Sequence, residues 1–201
     1  GNHNVILGSQ AGHDMDNGQF NVAIGSQALA NEVNGDRNTA VGHHALYSQD
    51  NTSNGNPANV AIGAFAGYHN VTGIYNTYLG TNARFGASGQ SHTGNTGIGY
   101  SSLGLVSTGN YNTALGTEAL EYNTSGTGNV AVGKQALEDV TTGGQNVAVG
   151  NTALANNTAT GNTAVGHASF AANTSGNQNV GVGYATGFGN TTGLYNTAVG
   201  Y

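Results

Sequence analysis

The chain has 201 residues, of which 6% are charged, 35 are Gly and none is Cys. The formal net charge of −6, with three Lys and Arg residues in total, excludes the basic surface that nucleic-acid binding requires. Without Cys there are no disulfides or thiolate metal sites, and no apolar run is long enough to predict membrane insertion.

A pentapeptide of the form Asn-[Val/Thr]-Ala-[Ile/Val/Leu]-Gly recurs along the whole chain and predicts a repeat architecture. Eight of the eleven intervals between its asparagines are 17 residues. A period near seventeen is too short for two-helix repeats and suits one coil of a parallel β-solenoid. We therefore predict a single all-β domain over residues 1–201, built from about twelve coils and belonging to a longer array. The motif asparagines are Asn4, Asn21, Asn38, Asn59, Asn76, Asn95, Asn112, Asn129, Asn146, Asn162, Asn179 and Asn196.

One coil, residues 126–143, shows the predicted elements in order. Gly126 opens a turn, and residues 129–133 form a strand. Residues 134–135 make a corner, and residues 136–138 form a second, shorter strand. Alternation places Asn129 and Ala131 on one face of the first strand and Val130 and Val132 on the other.

The β-branched row containing Val130 and Val132 is the better candidate for the core, because its burial removes the larger apolar area from water. The Ala131 row then lies outside. Either it packs closely against a partner protomer, or Ala is simply tolerated on an exposed face. On the first interpretation, the Ala131 row forms the contact of a homo-oligomer.

The residue four positions after the motif glycine predicts a second core row. It is Leu or Phe in seven coils, such as Leu137. Four coils carry another residue there, and the next residue is always a ring. We expect these rings to replace the missing leucines in the core. The four pairs are Gly12 with His13, Gly67 with Tyr68, Arg84 with Phe85 and Gly187 with Phe188.

The run from Asn21 to Ala28, Asn-Val-Ala-Ile-Gly-Ser-Gln-Ala, resembles the head repeats of trimeric autotransporter adhesins of the YadA type. It is also similar to Gly-Asn-Thr-Ala-Val-Gly repeats of phage tail-fibre and other surface-fibre proteins. The resemblance covers essentially the whole chain. It implies a left-handed β-roll, assembly as a trimer, and a location outside the cell, at a cell surface or virion surface. The repeat is a few residues longer than the adhesin repeat, and the coiled-coil stalk and membrane anchor are absent.

The run Ile24 to Leu29 also fits the hexapeptide of triangular left-handed β-helices, some of which are acyltransferases. One such hexad occurs per coil, and the period is 17 rather than 18. The triangular helix remains an alternative for the shape of the coil. No repeated Ser and His pair or metal-ligand spacing occurs, so we expect neither an enzyme nor a cofactor.

Two insertions lengthen the array, one between Asn38 and Asn59 and one between Asn76 and Asn95. Insertions in solenoids project from one corner and often carry specificity, although drift in loop length explains them equally well. Residues around them form the candidate binding surface, for a surface glycan or a host receptor. They are Tyr47, Asp50, Asn51, Asn54, Asn56, Arg84 and His92.

Two functions follow from these patterns. The first is a structural or adhesive fibre segment, about 55 Å long at one strand spacing per coil. The second is an ice- or crystal-binding solenoid. It requires the opposite faces, with Ala and Gly filling a thin core and the Val/Thr row displayed outside. The irregular mixture of Val and Thr argues against the second function.

Overall fold

The computed structural model describes residues 3–51, 55–86 and 91–201. Within these ranges the regular secondary structure consists of twelve strands of three residues, each formed by the second to fourth motif positions. No described residue is helical, and the described ranges therefore offer no helix that could cross a membrane. The strands are β1 (Val5–Leu7), β2 (Val22–Ile24), β3 (Thr39–Val41), β4 (Val60–Ile62), β5 (Thr77–Leu79), β6 (Thr96–Ile98), β7 (Thr113–Leu115), β8 (Val130–Val132), β9 (Val147–Val149), β10 (Thr163–Val165), β11 (Val180–Val182) and β12 (Thr197–Val199).

Each strand pairs in parallel with the next strand along the chain, so the twelve strands form one sheet in sequence order. The register aligns identical motif positions, as in the pairing of Ala131 of β8 with Ala148 of β9. Each coil thus advances the chain by one strand spacing. The parallel β-solenoid is confirmed. The triangular alternative is wrong, because it needs a sheet on each side of the coil and the described residues form one sheet.

The predicted second strand at residues 136–138 is absent. This wall of the coil is a run of turns in which left-handed residues alternate with others, for example Gln135 (φ 56°) and Leu137 (φ 51°). Its backbone still pairs between coils. Gln135 N–H donates to the Thr117 carbonyl at 2.9 Å, and Leu137 N–H donates to the Ala153 carbonyl at 3.1 Å. The alternation brings Leu137 inward without an extended backbone.

The predicted orientation of the strands is wrong. Asn129 and Ala131 are fully buried, whereas Val130 and Val132 are only half-buried. The reason is the thinness of the coil. The leucine row from the turn wall packs directly onto the alanine row in one apolar cluster. At Gly97, an added Cβ would lie only 3.1 Å from Leu103 Cδ1, which leaves no space for valine-sized side chains. The Ala131 row therefore cannot form the contact between protomers.

The buried asparagines form a ladder along the solenoid axis. From Asn21 to Asn196, the backbone N–H of each motif asparagine donates to Oδ1 of the preceding one at 2.8–3.1 Å. In ten coils the side-chain amide also donates to a corner carbonyl, as Asn129 Nδ2 does to Gly143 O at 2.9 Å. The ladder thus satisfies polar groups that burial would otherwise leave unpaired.

The motif glycine closes each strand in a conformation that other residues cannot adopt there. Gly133 has φ 131°, and a Cβ on it would lie 2.5 Å from the Gly150 carbonyl oxygen of the next coil. Both the backbone conformation and the spacing between coils therefore require Gly at this position.

The predicted replacement of missing leucines by adjacent rings is wrong. Phe85 and Phe188 are exposed, His13 is exposed, and Tyr68 is half-buried. Instead, where one coil has a small residue at a core position, a large side chain of a neighbouring coil fills the space. A Cβ on Gly67 would lie 2.9 Å from the ring of Tyr78, which occupies the alanine position of the next coil.

Phe170 makes the same exchange in the opposite direction. This buried ring occupies the leucine position, and the next coil carries Gly at both of its core positions. A Cβ would lie 2.5 Å from the Phe170 ring at either Gly181 or Gly187. One large side chain is thus accommodated by two glycines, which keeps the core close-packed.

A double-mutant cycle tests this exchange. Gly181→Ala should lower the free energy of unfolding by about 1–3 kcal/mol, because its methyl group overlaps the Phe170 ring. In a Phe170→Leu background the same substitution should cost less, because the ring is gone and only Ser169 Oγ, 2.6 Å from the added Cβ, still has to move. Chemical denaturation of the four proteins measures the coupling. Equal effects of Gly181→Ala in both backgrounds would contradict the exchange.

Candidate functional site

The outward side of the sheet is an apolar surface that continues along all twelve described strands. We call it the aliphatic face, and it consists of the second and fourth motif positions of all twelve strands. Neither row contains a charged residue. Its side chains are half-buried or exposed in every coil, with Val182 at 42% and Leu115 at 45%. The fourth-position row is Leu7, Ile24, Val41, Ile62, Leu79, Ile98, Leu115, Val132, Val149, Val165, Val182 and Val199.

The second-position row of the aliphatic face contains six Val and six Thr residues, such as Val130 and Thr113. Because the strands are in register, the two rows run side by side for about 50 Å. An apolar surface of this length is unusual on a monomeric protein in water, and such surfaces mark interaction sites. The favoured interpretation of the sequence placed these rows in the core, and only the ice-binding alternative displayed the Val/Thr row outside. The signal that could have revealed this surface is the asparagine of each motif. A repeated asparagine indicates a buried hydrogen-bond ladder, which places the second and fourth motif positions on the outward side of the strand.

The predicted binding residues of the first insertion are not all at the surface. Tyr47 and Asp50 are half-buried and Asn56 is exposed. Asn51 is buried, and its backbone N–H donates to the buried Glu32 carboxylate at 3.2 Å. Its predicted surface role is wrong, because it completes an internal corner. The prediction for Asn54 lies outside the described residues.

The predicted surface role of Arg84 and His92 is wrong, because both side chains are buried. Arg84 occupies the leucine position of its coil, and its Nε donates to His92 Nε2 at 2.7 Å. The Tyr78 hydroxyl lies 3.4 Å from the same imidazole. The three side chains form a polar cluster inside the core. The sequence suggested exposure because it placed polar residues near an insertion.

Burial governs the ionisation of this polar cluster. Desolvation, with the nearby Arg84 guanidinium, lowers the pKa of His92 from its ordinary 6.5 to about 3. Desolvation also lowers the pKa of Arg84 and raises the pKa of Tyr78 above its ordinary value. His92 is therefore neutral at neutral pH, and its Nε2 can accept the hydrogen bond from Arg84.

Three carboxylates, those of Glu118, Glu121 and Glu138, lie together on the turn wall. Their oxygens are within 4.8 Å of one another, and all three residues are half-buried. Desolvation and mutual repulsion raise the pKa of Glu121 and of Glu138. Acidic groups at a protein surface are common without a bound ion, and nothing else at this position points to a ligand.

The densest aromatic cluster of the described chain lies on the same turn wall, in the third to fifth coils. It contains the predicted binding residue Tyr47, whose ring stacks on Tyr68 with centroids 5.1 Å apart. His44 and Phe65 border these rings. Stacking arises because equivalent positions of successive coils are one strand spacing apart. The sequence named only Tyr47 as a surface residue, because its pattern assigned Tyr68 and Phe85 to the core.

Comparison of the chain with protein-family models, with curated protein sequences and with solved structures finds no match. The class of the molecule therefore follows from its geometry: it is a parallel β-solenoid with one aliphatic face and one turn wall.

The pKa of His92 predicts a specific acid sensitivity. Below pH 6.5 the unfolded chain takes up a proton on His92 that the folded chain does not, so folded stability decreases as the pH falls towards 3. The slope is about 1.4 kcal/mol per pH unit for this one group. His92→Gln retains an acceptor for Arg84 and should remove this part of the slope. Denaturation of both proteins between pH 6 and pH 4 measures it, and parallel profiles would exclude the assignment.

Proposed function

We propose that this chain is a stiff segment of a surface fibre, in which the aliphatic face is covered by the same face of other copies. The observation that supports the proposal is the uninterrupted outward row of Val, Ile and Leu side chains on β1 to β12, each half-buried or exposed. Burial of such area stabilises an assembly by about 25 cal/mol per Å². The thin core cannot take up these side chains, so association is the available way to remove them from water.

The second copy is the partner that fits this face best. All coils share one spacing, so the rows of two copies can remain in register over their whole length. The face contains no charged residue, so close approach leaves no charge unpaired. Thr residues such as Thr113 and Thr163 keep a hydroxyl for hydrogen bonds between copies.

A trimer is the assembly that we favour. The resemblance to adhesin and tail-fibre repeats implies it, and three aliphatic faces can meet around a single axis. The turn walls with the inserted corners would then face outward. We propose that these walls carry the adhesive role, against a surface glycan or a host receptor, at a cell or virion surface.

Ice or crystal binding is the second candidate, and the face assignment is the observation that favours it. Ala and Gly fill the core, and Val and Thr lie outside at the spacing of the strands. The irregular order of Val130, Thr113 and Thr96 along the row argues against it, because a lattice favours a regular array.

Solution mass tests the fibre proposal. Light scattering on the wild-type chain should give about three times the chain mass of 20.1 kDa. Val132→Asp places a carboxylate in the middle of the aliphatic face and should dissociate the assembly into monomers. Asn156→Asp adds the same charge at an exposed position of the turn wall and should leave the mass unchanged.

A wild-type chain that is folded and monomeric at micromolar concentration would contradict the fibre proposal. If that single chain also inhibited ice recrystallisation, and Val132→Asp abolished the inhibition, the second candidate would replace it.

A further inference from the structure

The aromatic stack on the turn wall ends in an open slot. The rings of Tyr47 and Tyr68 are nearly parallel, with an interplanar angle of 7° and centroids 5.1 Å apart. Phe85 continues the stack beyond Tyr68 at 5.5 Å and 28°. These three residues hold equivalent positions in successive coils, five residues after the motif glycine. One face of Tyr47 is therefore covered by Tyr68, and its other face points towards the preceding coil.

That preceding coil carries Ala30 at the equivalent position, and the coil before it carries His13. A methyl group where the stack would place a ring leaves a depression between Tyr47 and His13. Ala30 is 4% exposed and forms its floor. The depression is lined by Gln10, His13, Gln27, Ala30, Asn31 and Tyr47. We call this depression the Tyr47 slot.

The walls of the Tyr47 slot are polar, and a chain of hydrogen bonds orients them. His44 Nε2 donates to Gln27 Oε1, and Gln27 Nε2 donates to Gln10 Oε1 at 2.8 Å. Burial and the neighbouring His43 lower the pKa of His44, which favours its neutral form. The amide of Asn31 adds a further donor and acceptor. The slot thus combines one ring face with several amides.

No Lys or Arg side chain lines the slot, so the slot is poorly suited to anions. Arg84 is buried in the core, and Arg37 lies over the Phe20 ring and bonds Asn56. His13 Nδ1 pairs with Asp14 Oδ1 at 2.6 Å at the mouth. The chain as a whole has a net charge of −6, and the slot lacks the cationic side chains that bind phosphates and nucleic acids.

We infer that the Tyr47 slot binds one pyranose unit of a neutral glycan. The apolar C–H face of the sugar would lie on the free face of Tyr47, and its hydroxyl edge would meet the Gln and Asn amides. Tyr offers a large rigid contact with little loss of conformational entropy. The inference deepens the adhesive part of the proposed function by naming its site and ligand class. Since the slot lies on the turn wall, it remains accessible when the aliphatic face is covered.

Saturation-transfer NMR with methyl pyranosides of glucose, galactose, mannose and N-acetylglucosamine tests this inference on the full chain. At least one sugar should bind with a Kd on the order of 1 mM. Tyr47→Ala should weaken that binding at least tenfold. Tyr184→Ala is the matched control, because Tyr184 is an exposed Tyr stacked between His167 and Tyr201. It should leave the binding unchanged.

Ala30→Tyr is the second variant, because it adds a ring to the stack and fills the slot without removing a core residue. It should abolish binding while the protein remains folded by circular dichroism. Binding of indole or adenosine in place of every sugar would overturn the ligand class. Sugar binding that survives Ala30→Tyr, or no sugar binding at 10 times the expected Kd, would overturn the site. The solution mass is a separate readout, so failure here is distinguishable from failure of the fibre proposal.

Discussion

The asparagine ladder is the interaction on which the other features of this solenoid depend. In this ladder Asn129, for example, accepts one backbone N–H at 3.0 Å and donates its side-chain amide to a corner carbonyl at 2.9 Å. A buried polar group without a partner costs about 1–3 kcal/mol. Ten of the motif asparagines meet these needs with a corner carbonyl, and the Nδ2 of Asn38 is the buried exception among the described residues. Because strand residues alternate between faces, the ladder also places Ala131 inside and Val130 and Val132 outside.

Two physical terms compete for the orientation of each strand. Burial of the aliphatic side chains within the coil would gain apolar area, but it would expose the asparagines and separate the ladder from its corner carbonyls. The coil is also too thin for a valine row beneath Leu137 and its equivalents. The structure keeps the ladder, and the aliphatic area remains available for association. A thin core, an in-register row of strands and an apolar outer face are thus consequences of one repeated amide.

Some features could be predicted from the sequence because each is encoded within a single repeat. The spacing of the motif asparagines gave the number of coils, and the Leu137 row was correctly assigned to the core. The strand orientation could not be predicted from apolar area, because that argument ignores the thickness of the coil. The exchange between Phe170 and Gly181, and the burial of Arg84, depend on contacts between neighbouring coils. The left-handed conformation of Gln135 has no signal in its residue type. Of the predicted binding residues, Tyr47 borders the Tyr47 slot, whereas Asn51, Arg84 and His92 are internal.

Hydrogen exchange at single backbone amides tests the central role of the ladder most directly. In the wild-type chain the N–H groups of Asn129 and Asn146 are bonded to the side chains of Asn112 and Asn129. In Asn129→Ala, the N–H of Asn146 loses its acceptor and should exchange at least tenfold faster. The N–H at position 129 keeps Asn112 as its acceptor and should remain protected. Unchanged exchange at Asn146, or equal acceleration at both positions, would contradict the account.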